Sequence, residues 1–276
     1  MHKVTLIISV YNKIKELDLI FNALTIQSYK DFEVIVAEDG RNSEMKKFVE
    51  EWNEKNFFSI RHLTQEDKGF RKNKILNEAI RNASADYLIF IDGDCLPHSD
   101  FIKAHFESKE SNVVLCGRRV NLTKYISNKI TKETILSHDY ERLKLSRIIH
   151  SSLNRKNKGY NFNIEESFIF KNKALRSILT NEDEHILGCN FSIHKTLLEK
   201  INGFDENYEG PGLGEDSDIE FRLRLTGAKF KSVRNLAVQY HLYHDKTIEE
   251  PKNMEYFNQM KMHKEFFCKR GLTVIE

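Results

Sequence analysis

The stretch Tyr87–Asp94, which reads YLIFIDGD, carries an apolar run directly into a pair of acidic residues. Two similar runs, Val4–Val10 and Glu33–Ala37, also end at polar turns. Continuous apolar runs of this length are typical of strands covered on both faces, as in a parallel sheet. Helical patterns separate them, such as Glu44–Lys55, which we expect Ser43 to cap. This alternation predicts an open, doubly wound α/β sheet whose ligands bind beyond the carboxyl ends of its strands.

The order of elements changes after Val113–Gly117. The span 118–176 contains fourteen Lys or Arg residues against five Asp or Glu, a local excess of nine in a chain whose net charge is +2. This span lacks strand-like runs and has a helical pattern around Thr134–Ile149. We therefore expect a basic helical insertion. It is either a solvated face or a surface that meets anionic lipid headgroups or an acidic or lipid-linked acceptor.

A second α/β stretch follows the insertion, and the chain shows no internal repeat or low-complexity linker. One domain over residues 1–276 is the simplest interpretation. The elements predicted in this stretch are a strand at Ile186–Ile193, a helix near Lys195–Lys200, a glycine-rich loop at Gly203–Gly214, a helix at Asp216–Leu225, weaker strands at Phe230–Val233 and Leu236–Tyr240, and a final helix from Lys252.

The composition of the chain argues against several classes of protein. With 43 Lys or Arg residues against 41 Asp or Glu among 276 residues, no global charge favours nucleic acid as a partner. No apolar run approaches the roughly 18 residues needed to span a bilayer, and Val4–Val10 is too short for the apolar core of a signal peptide. The four cysteines lie far apart without a C-x-x-C pair, which argues against a disulfide framework or a thiol zinc site. We expect a cytoplasmic protein, with any membrane contact peripheral to the inner face of the cytoplasmic membrane.

Asp92-Gly93-Asp94 follows its apolar run without a gap. Two carboxylates at the end of a strand can turn toward one small volume, where their repulsion favours a hard divalent cation. Mg²⁺ or Mn²⁺ held in this way keeps open positions for phosphate oxygens. An isolated D-x-D is more often a solvated acidic turn, but its place at a strand end favours a metal site.

Two further motifs belong to the same predicted edge. Glu38-Asp39-Gly40 could accept hydrogen bonds from a ribose hydroxyl or a base N–H, or it could be an ordinary acidic turn. Lys68–Arg71 precedes a helix, and a helix N-terminus beside an arginine can bind a diphosphate, although basic residues at helix starts are common on solvated surfaces.

The segment Gly203–Asp218 contains four glycines and a proline, so it forms a shaped loop that runs into an acidic helix start. The helix dipole alone explains carboxylates there. Because the glycines frame this loop, we favour instead a general base, Asp216 or Asp218, that faces a bound sugar. His241 and His244 follow a predicted strand; such a pair more often binds nothing, but one imidazole could complete a metal shell.

Taken together, these motifs resemble the inverting nucleotide-sugar glycosyltransferases of family 2, with the GT-A fold. The second half is similar to galactosyltransferases and to bacterial chondroitin-type polymerases. Each motif is weak alone, but seven occur in the family's order. The resemblance rests on Ser9–Asn12, Glu38–Gly40, Gly69–Arg71 with Asn77, Asp92–Asp94, Gly188–Ser192, Ile201–Asp205 and Gly214–Asp218.

The resemblance assigns roles by position. Asp216 would be the general base, Glu215 and Asn190 would contact the acceptor side, and Glu215 would bind a sugar hydroxyl. The metal would be held by Asp94 and His241, the latter matching the family's histidine better than His244. The donor-binding set would be Val10, Asn12, Asp39 on the uracil or ribose, Arg71 near the diphosphate, Asn77, Asp92 on the ribose or sugar, Gly93 and Asp94.

The chain departs from the family pattern at two positions. Val10 stands where the family often has proline, which we expect to be harmless. Leu76 stands where many relatives have an arginine, so Lys72 or Lys74 would have to supply that charge.

The resemblance implies a Mn²⁺- or Mg²⁺-dependent enzyme that moves a sugar, with galactose or N-acetylgalactosamine favoured, from a UDP-sugar to a glycan or lipid-linked acceptor. Its product would be a bacterial surface polysaccharide, such as a capsule or lipopolysaccharide. Residues 1–117 would bind the nucleotide sugar, 118–180 would be the insertion, 181–250 the acceptor and catalytic half, and 251–276 a terminal helix.

Two alternatives stay open on sequence grounds. A nucleotidyltransferase that makes a nucleotide sugar also uses a metal and an α/β sheet, but it usually has a glycine-rich basic loop after the first strand. This chain has Tyr11–Ile14 there. A non-catalytic nucleotide-sugar-binding module would not need Glu215 and Asp216 as well as the D-x-D motif.

Overall fold

The computed structural model describes residues 2–142, 163–172, 176, 178–179, 183–211, 214–245 and 251–274. The strands are β1 Val4–Val10, β2 Phe32–Glu38, β3 Ser59–Thr64, β4 Tyr87–Asp92, β5 Cys95–Pro97, β6 Val113–Cys116, β7 Val120–Asn121, β8 Phe191–His194, β9 Lys229–Ser232 and β10 Gln239–His241. The helices are α1 Ile14–Thr25, α2 Ser43–Glu54, α3 Lys72–Asn82, α4 Phe101–Ser108, α5 Lys124–Ser127, α6 Lys132–Leu136, α7 Lys195–Lys200, α8 Asp216–Leu225 and α9 Pro251–His263.

Seven strands form one mixed sheet in the order β3-β2-β1-β4-β8-β6-β9. The first four strands in the chain are parallel, β8 runs antiparallel to both its neighbours, and β9 is parallel to β6. Helices cover both faces of the sheet. The predicted open α/β sheet flanked by helices is therefore confirmed.

Burial on both faces explains the continuous apolar runs. Every residue of β1 and β2 is buried, and alternate residues enter different cores. Leu6 packs in a cluster with Phe21 of α1, whereas its neighbour Ile7 packs with Ile75 of α3. Full burial of such a side chain contributes about 1.5–3 kcal/mol, so the two layers stabilise the central strands from both sides.

Strand register brings the polar turns to one edge of the sheet. In the parallel pairs, Ser9 lies opposite Asp92 and Val10 lies opposite Glu38. The three strands β1, β2 and β4 therefore end at the same level, and their following turns converge there, as expected for parallel strands.

Several predicted boundaries are wrong. Asn42, not Ser43, caps α2, because its side-chain oxygen accepts hydrogen bonds from the main-chain N–H groups of Glu44 and Met45. The strand predicted at Ile186–Ile193 is reduced to Phe191–His194, since the residues before it form a turn. The edge strand β3 was not predicted, because its sequence SIRHLT is polar and only partly buried.

The basic insertion begins differently from the prediction. It contains the two-residue strand β7, which joins β5 and β10 in a second, three-stranded sheet. Of the helix predicted around Thr134–Ile149, the structure shows α6 at Lys132–Leu136, and residues 143–162 lie outside the described part. Within the described ranges, no helix is both long enough and apolar enough to cross a membrane.

Candidate active site

A cavity of about 500 Å³ opens at the edge where β1, β2 and β4 end. Asp94 and Asp216, which are far apart in sequence, both line it. The other expected site residues in its wall are Val10, Asp39, Asp92, Gly93, Glu215 and His241. The turn after β4 and the start of α8 therefore line the same cavity.

Asp92 lies in an ion-paired network at the centre of this wall. Its Oδ1 accepts hydrogen bonds from Ser9 Oγ and Lys72 Nζ, both at 2.8 Å. Burial alone would raise the pKa of Asp92, but the Lys72 ammonium and the Ser9 hydroxyl outweigh burial and lower it to about 2. Asp92 is therefore ionised at neutral pH, and its charge is balanced by Lys72.

Lys72 also contacts Glu215, with 2.7 Å between Nζ and Oε2. Burial would lower the pKa of Lys72, yet Asp92 and Glu215 together raise it well above its ordinary value. For Glu215, burial raises the pKa and the neighbouring carboxylates of Asp92 and Asp216 add to that, while Lys72 opposes them. One ammonium group thus connects the end of β4 to the residue that precedes α8.

Asp94, His241 and His244 form a cluster that could hold a metal ion. One ligand atom from each residue lies within 4.8 Å of the others. The Nε2 atoms of His241 and His244 lie 3.5 and 3.4 Å from the two carboxylate oxygens of Asp94. Burial lowers the pKa of His241 to about 4, against the opposing effect of Asp94, so its imidazole is neutral at pH 7, as a metal ligand requires. A carboxylate with two imidazoles suits Mn²⁺ among the hard and borderline divalent cations.

The short sheet positions this cluster. Cys95, which follows Asp94, pairs with His241 in the antiparallel ladder between β5 and β10. The main-chain N–H of Leu242 also donates to the Asp94 carbonyl at 2.9 Å. Lys13, just before α1, donates to Asp94 Oδ2 at 2.5 Å and adds a cation to the site.

Asp216 is the first residue of α8, and both of its carboxylate oxygens accept hydrogen bonds. Oδ1 accepts from the main-chain N–H of Ser217 at 2.8 Å, and Oδ2 accepts from that of Gly188 at 3.1 Å. These bonds orient the carboxylate on the cavity wall without a basic partner, since no ion pair to Asp216 occurs among the described residues. A carboxylate held by neutral donors is suited to accept a proton from a hydroxyl group.

The loop before Asp216 packs against the side chain of Tyr208. Tyr208 packs where a Cβ on Gly214 would lie, 2.1 Å from its ring, and Gly214 adopts φ +119°. The Tyr208 hydroxyl donates to Asp218 Oδ1 at 3.2 Å, and Asp218 pairs with the fully buried Arg222. Asp218, the other candidate base, is therefore buried in a structural ion pair and does not line the cavity.

Asp39 lines the cavity at the end of β2, with its carboxylate fixed by its neighbours. Oδ2 accepts from the main-chain N–H of Arg71 at 2.7 Å, and Oδ1 accepts from Gln65 Nε2 at 2.5 Å. The Arg71 side chain points elsewhere, toward the carbonyl of Glu66. Because α3 begins at Lys72, that residue enters the cavity in place of Arg71. Of the two lysines considered for the missing charge, Lys74 is exposed and lies outside it.

Three expected binding residues also lie outside the cavity wall. Asn12, at φ +51°, accepts a hydrogen bond from Asn42. Asn77 is fully buried and bonds to the main chain of Phe204 in both directions, at 2.8 and 2.9 Å. Asn190 is fully buried between His105 and the carbonyls of residues 118 and 237. The amides of Asn77 and Asn190 satisfy main-chain groups in the interior, which is a role that sequence letters alone do not distinguish from ligand binding.

The cavity also contains residues that the sequence did not single out. Arg119, Lys13 and Cys189 line it, together with Tyr11 and Phe70. Arg119 was counted only within the basic span. Arg119 lies three residues after the end of the apolar strand β6, and this position near a strand end is the signal that could have identified it.

Comparison with known proteins gives the family. Residues 5–201 match the family described as Glycosyl transferase family 2. The chain belongs to glycosyltransferase family 2. This family 2 enzyme also matches the family described as N-terminal domain of galactosyltransferase over residues 176–245.

Curated relatives include chondroitin synthases. The Escherichia coli protein is 28% identical over 86% of the family 2 enzyme, and the Pasteurella multocida protein is 25% identical over 86%. The enzyme spans only 34% and 24% of those two proteins. Those two proteins are therefore much longer than the family 2 enzyme.

Solved structures show the same fold. The Staphylococcus aureus TarS fragment 1–349 in complex with UDP superposes with a TM-score of 0.61 at 15% identity, covering 98% of the family 2 enzyme and 67% of that chain. The mannosyltransferase PcManGT from Pyrobaculum calidifontis, in complex with GDP-Man and Mn²⁺, gives 0.57 at 16% identity and covers 88% and 58%. The GT-A fold expected from the sequence is therefore confirmed.

Proposed function

We propose that this glycosyltransferase moves a sugar from a UDP-sugar to a hydroxyl group of a glycan or lipid-linked acceptor, with inversion at the anomeric carbon. The observation that carries the proposal is that Asp94 and Asp216 line one cavity. A cluster that could hold a metal ion and a carboxylate with no ion pair to any described residue thus face a single space large enough for a sugar nucleotide.

The donor side is formed by Asp39, Asp92 and the Asp94 cluster. Asp39 presents a fixed carboxylate, which suits a ribose hydroxyl or a uracil N–H. Asp94, His241 and His244 would hold Mn²⁺ or Mg²⁺, and the ion would neutralise charge on the leaving diphosphate. The Mn²⁺ complex of a mannosyltransferase with this fold supports that interpretation.

On the acceptor side, Asp216 removes the proton from the attacking hydroxyl. A positioned general base typically contributes about 10²–10⁴-fold in rate. Burial raises the pKa of Glu215. Its carboxyl group accepts a hydrogen bond from a sugar hydroxyl when ionised and can donate one to it when protonated. A single displacement by the acceptor oxygen inverts the anomeric configuration.

Galactose or N-acetylgalactosamine is the favoured sugar, and a capsule or lipopolysaccharide is the favoured product. The match to the galactosyltransferase domain and the chondroitin synthase relatives support both choices. The excess of nine basic residues in the span 118–176 supports peripheral contact with an anionic inner membrane face, which flotation with anionic liposomes at low and high salt would test.

Release of UDP from a panel of UDP-sugars, with Mn²⁺ and candidate acceptors, tests the proposal directly. Asp216→Asn should keep UDP affinity and lose about 10²–10⁴-fold in transfer rate. Asp94→Ala should lose the Mn²⁺-dependent part of UDP binding, measured by calorimetry with and without the metal. Near-normal turnover by Asp216→Asn would remove this residue from the mechanism, and no UDP release with any sugar would contradict the donor class.

A further inference from the structure

In the part of the chain that the structure describes, three cationic side chains line the cavity, and they contact different groups. Lys72 is held by Asp92 and Glu215, and Lys13 donates to Asp94. Arg119 forms no ion pair with any carboxylate of the described residues; its Nη1 donates only to the Cys189 thiol at 3.5 Å. Either lysine would have to leave a carboxylate to bind an anion, whereas the Arg119 guanidinium would not.

The segment that carries Arg119 is fixed on both sides. Its carbonyl accepts from Asn163 Nδ2 at 3.0 Å, and the carbonyl of the preceding residue accepts from Asn190 Nδ2 at 2.6 Å. The backbone also lies close to Asn190 here, because a Cβ on Gly117 would be 2.2 Å from its side-chain oxygen. The main chain at Arg119 is therefore held in place, so that binding of a ligand need not order the backbone here.

Arg119 also lies close in sequence to a strand that pairs with the strand carrying His241. Two residues later, Asn121 pairs with His241 in the parallel ladder between β7 and β10. An anion bound to the cluster would lie beside a guanidinium that offers several N–H donors in one plane. Two N–H groups of the guanidinium fork can donate to two oxygens of one phosphate group at once, a geometry that an ammonium group lacks.

We propose that Arg119 binds the diphosphate of the nucleotide-sugar donor and is the side chain that takes the place expected for Arg71. This inference rests on the proposed function. Arg119 stabilises the diphosphate as it leaves, whereas Lys13 and Lys72 keep the carboxylates of the site in place.

Calorimetry with uridine, UMP and UDP, at a fixed Mn²⁺ concentration, tests this assignment. Arg119→Met should weaken UDP binding by about 10- to 100-fold, the range for hydrogen bonds to a charged group, and leave uridine binding unchanged. Arg119→Lys keeps the charge but loses the fork, so its loss should be smaller. Arg81→Met, in the last turn of α3, is the matched control and should bind all three ligands like the parent protein.

Equal UDP affinity of Arg119→Met and the parent protein would overturn the assignment, as would an equal loss for uridine and UDP. Circular dichroism shows whether each variant folds, and Arg119→Lys serves if Arg119→Met does not. Failure of the parent protein to bind UDP would instead contradict the proposed function. The two failures are therefore distinguishable.

Discussion

Replacing Lys72 by methionine removes the ammonium group that joins Asp92 to Glu215. Loss of one partner from a fully buried pair costs about 3–5 kcal/mol, and loss of an exposed pair costs about 0–1 kcal/mol. The side chains of Lys72, Asp92 and Glu215 are 15, 27 and 16% exposed, which lies between these limits. We therefore expect a loss of about 2 kcal/mol in the free energy of unfolding at neutral pH. In a chain of this size that corresponds to a Tm lower by about 4–8 °C.

The loss should depend on pH in a defined direction. The pKa of Glu215 is raised in the folded protein, so keeping it ionised costs stability above that pKa. Without Lys72 this cost grows. The pKa of Asp92 is held at about 2, so its stabilising contribution is present above about 4 and is lost as pH falls toward 2. Both effects make the deficit of Lys72→Met largest at neutral pH and smaller in acid.

Urea unfolding at several pH values between 4 and 8 measures this deficit. Lys74→Met is the matched control, because Lys74 is an exposed lysine on the same helix and outside the cavity. Its effect should stay within about 0.5 kcal/mol. A deficit that is independent of pH, or equal in the two variants, would refute the argument that Lys72 neutralises this pair.

Two further predictions concern the loop that precedes Asp216 and the residues packed against it. Gly214→Ala should destabilise the loop and reduce transfer, because φ +119° disfavours a side chain and the added Cβ meets Tyr208; wild-type activity at an unchanged Tm would contradict this. Arg222→Met leaves Asp218 buried without its cation and should cost about 3–5 kcal/mol in urea unfolding. In the double variant Arg222→Met/Asp218→Asn, part of that loss should be recovered, and no recovery would show that the buried charge is not the cause.

Much of the sheet could be predicted from the sequence, because strands buried on both faces leave continuous apolar runs. Those runs located β1, β2 and β4 and hence the edge that holds Asp39, Asp92 and Asp94. The polar edge strand β3 leaves no such signal. The three-residue strand β5 and the two-residue strand β7 are too short to show a period, so the second sheet was not expected.

The position of the cavity wall was predicted best at the end of a strand. Asp92 is the last residue of β4, Asp94 lies two residues beyond it, and both line the cavity. Asn77 and Asn190 lie near the site in sequence, but their amides bond buried main-chain groups. Lys72 lines the cavity where Arg71 was expected, a shift of one residue that depends on where α3 begins. Helix boundaries are the least certain feature of a sequence pattern.

The pairing of Cys95 with His241 has a consequence for how this protein tolerates change. Side chains alternate across a strand, so a slip of one residue in β10 would turn the imidazole to the opposite face and bring Tyr240 or Leu242 to its place. Three residue pairs hold that alignment, with β7 alongside. A single-residue deletion between β9 and β10 that shifted this register would turn His241 away from Asp94, and the candidate metal-ligand cluster would be lost.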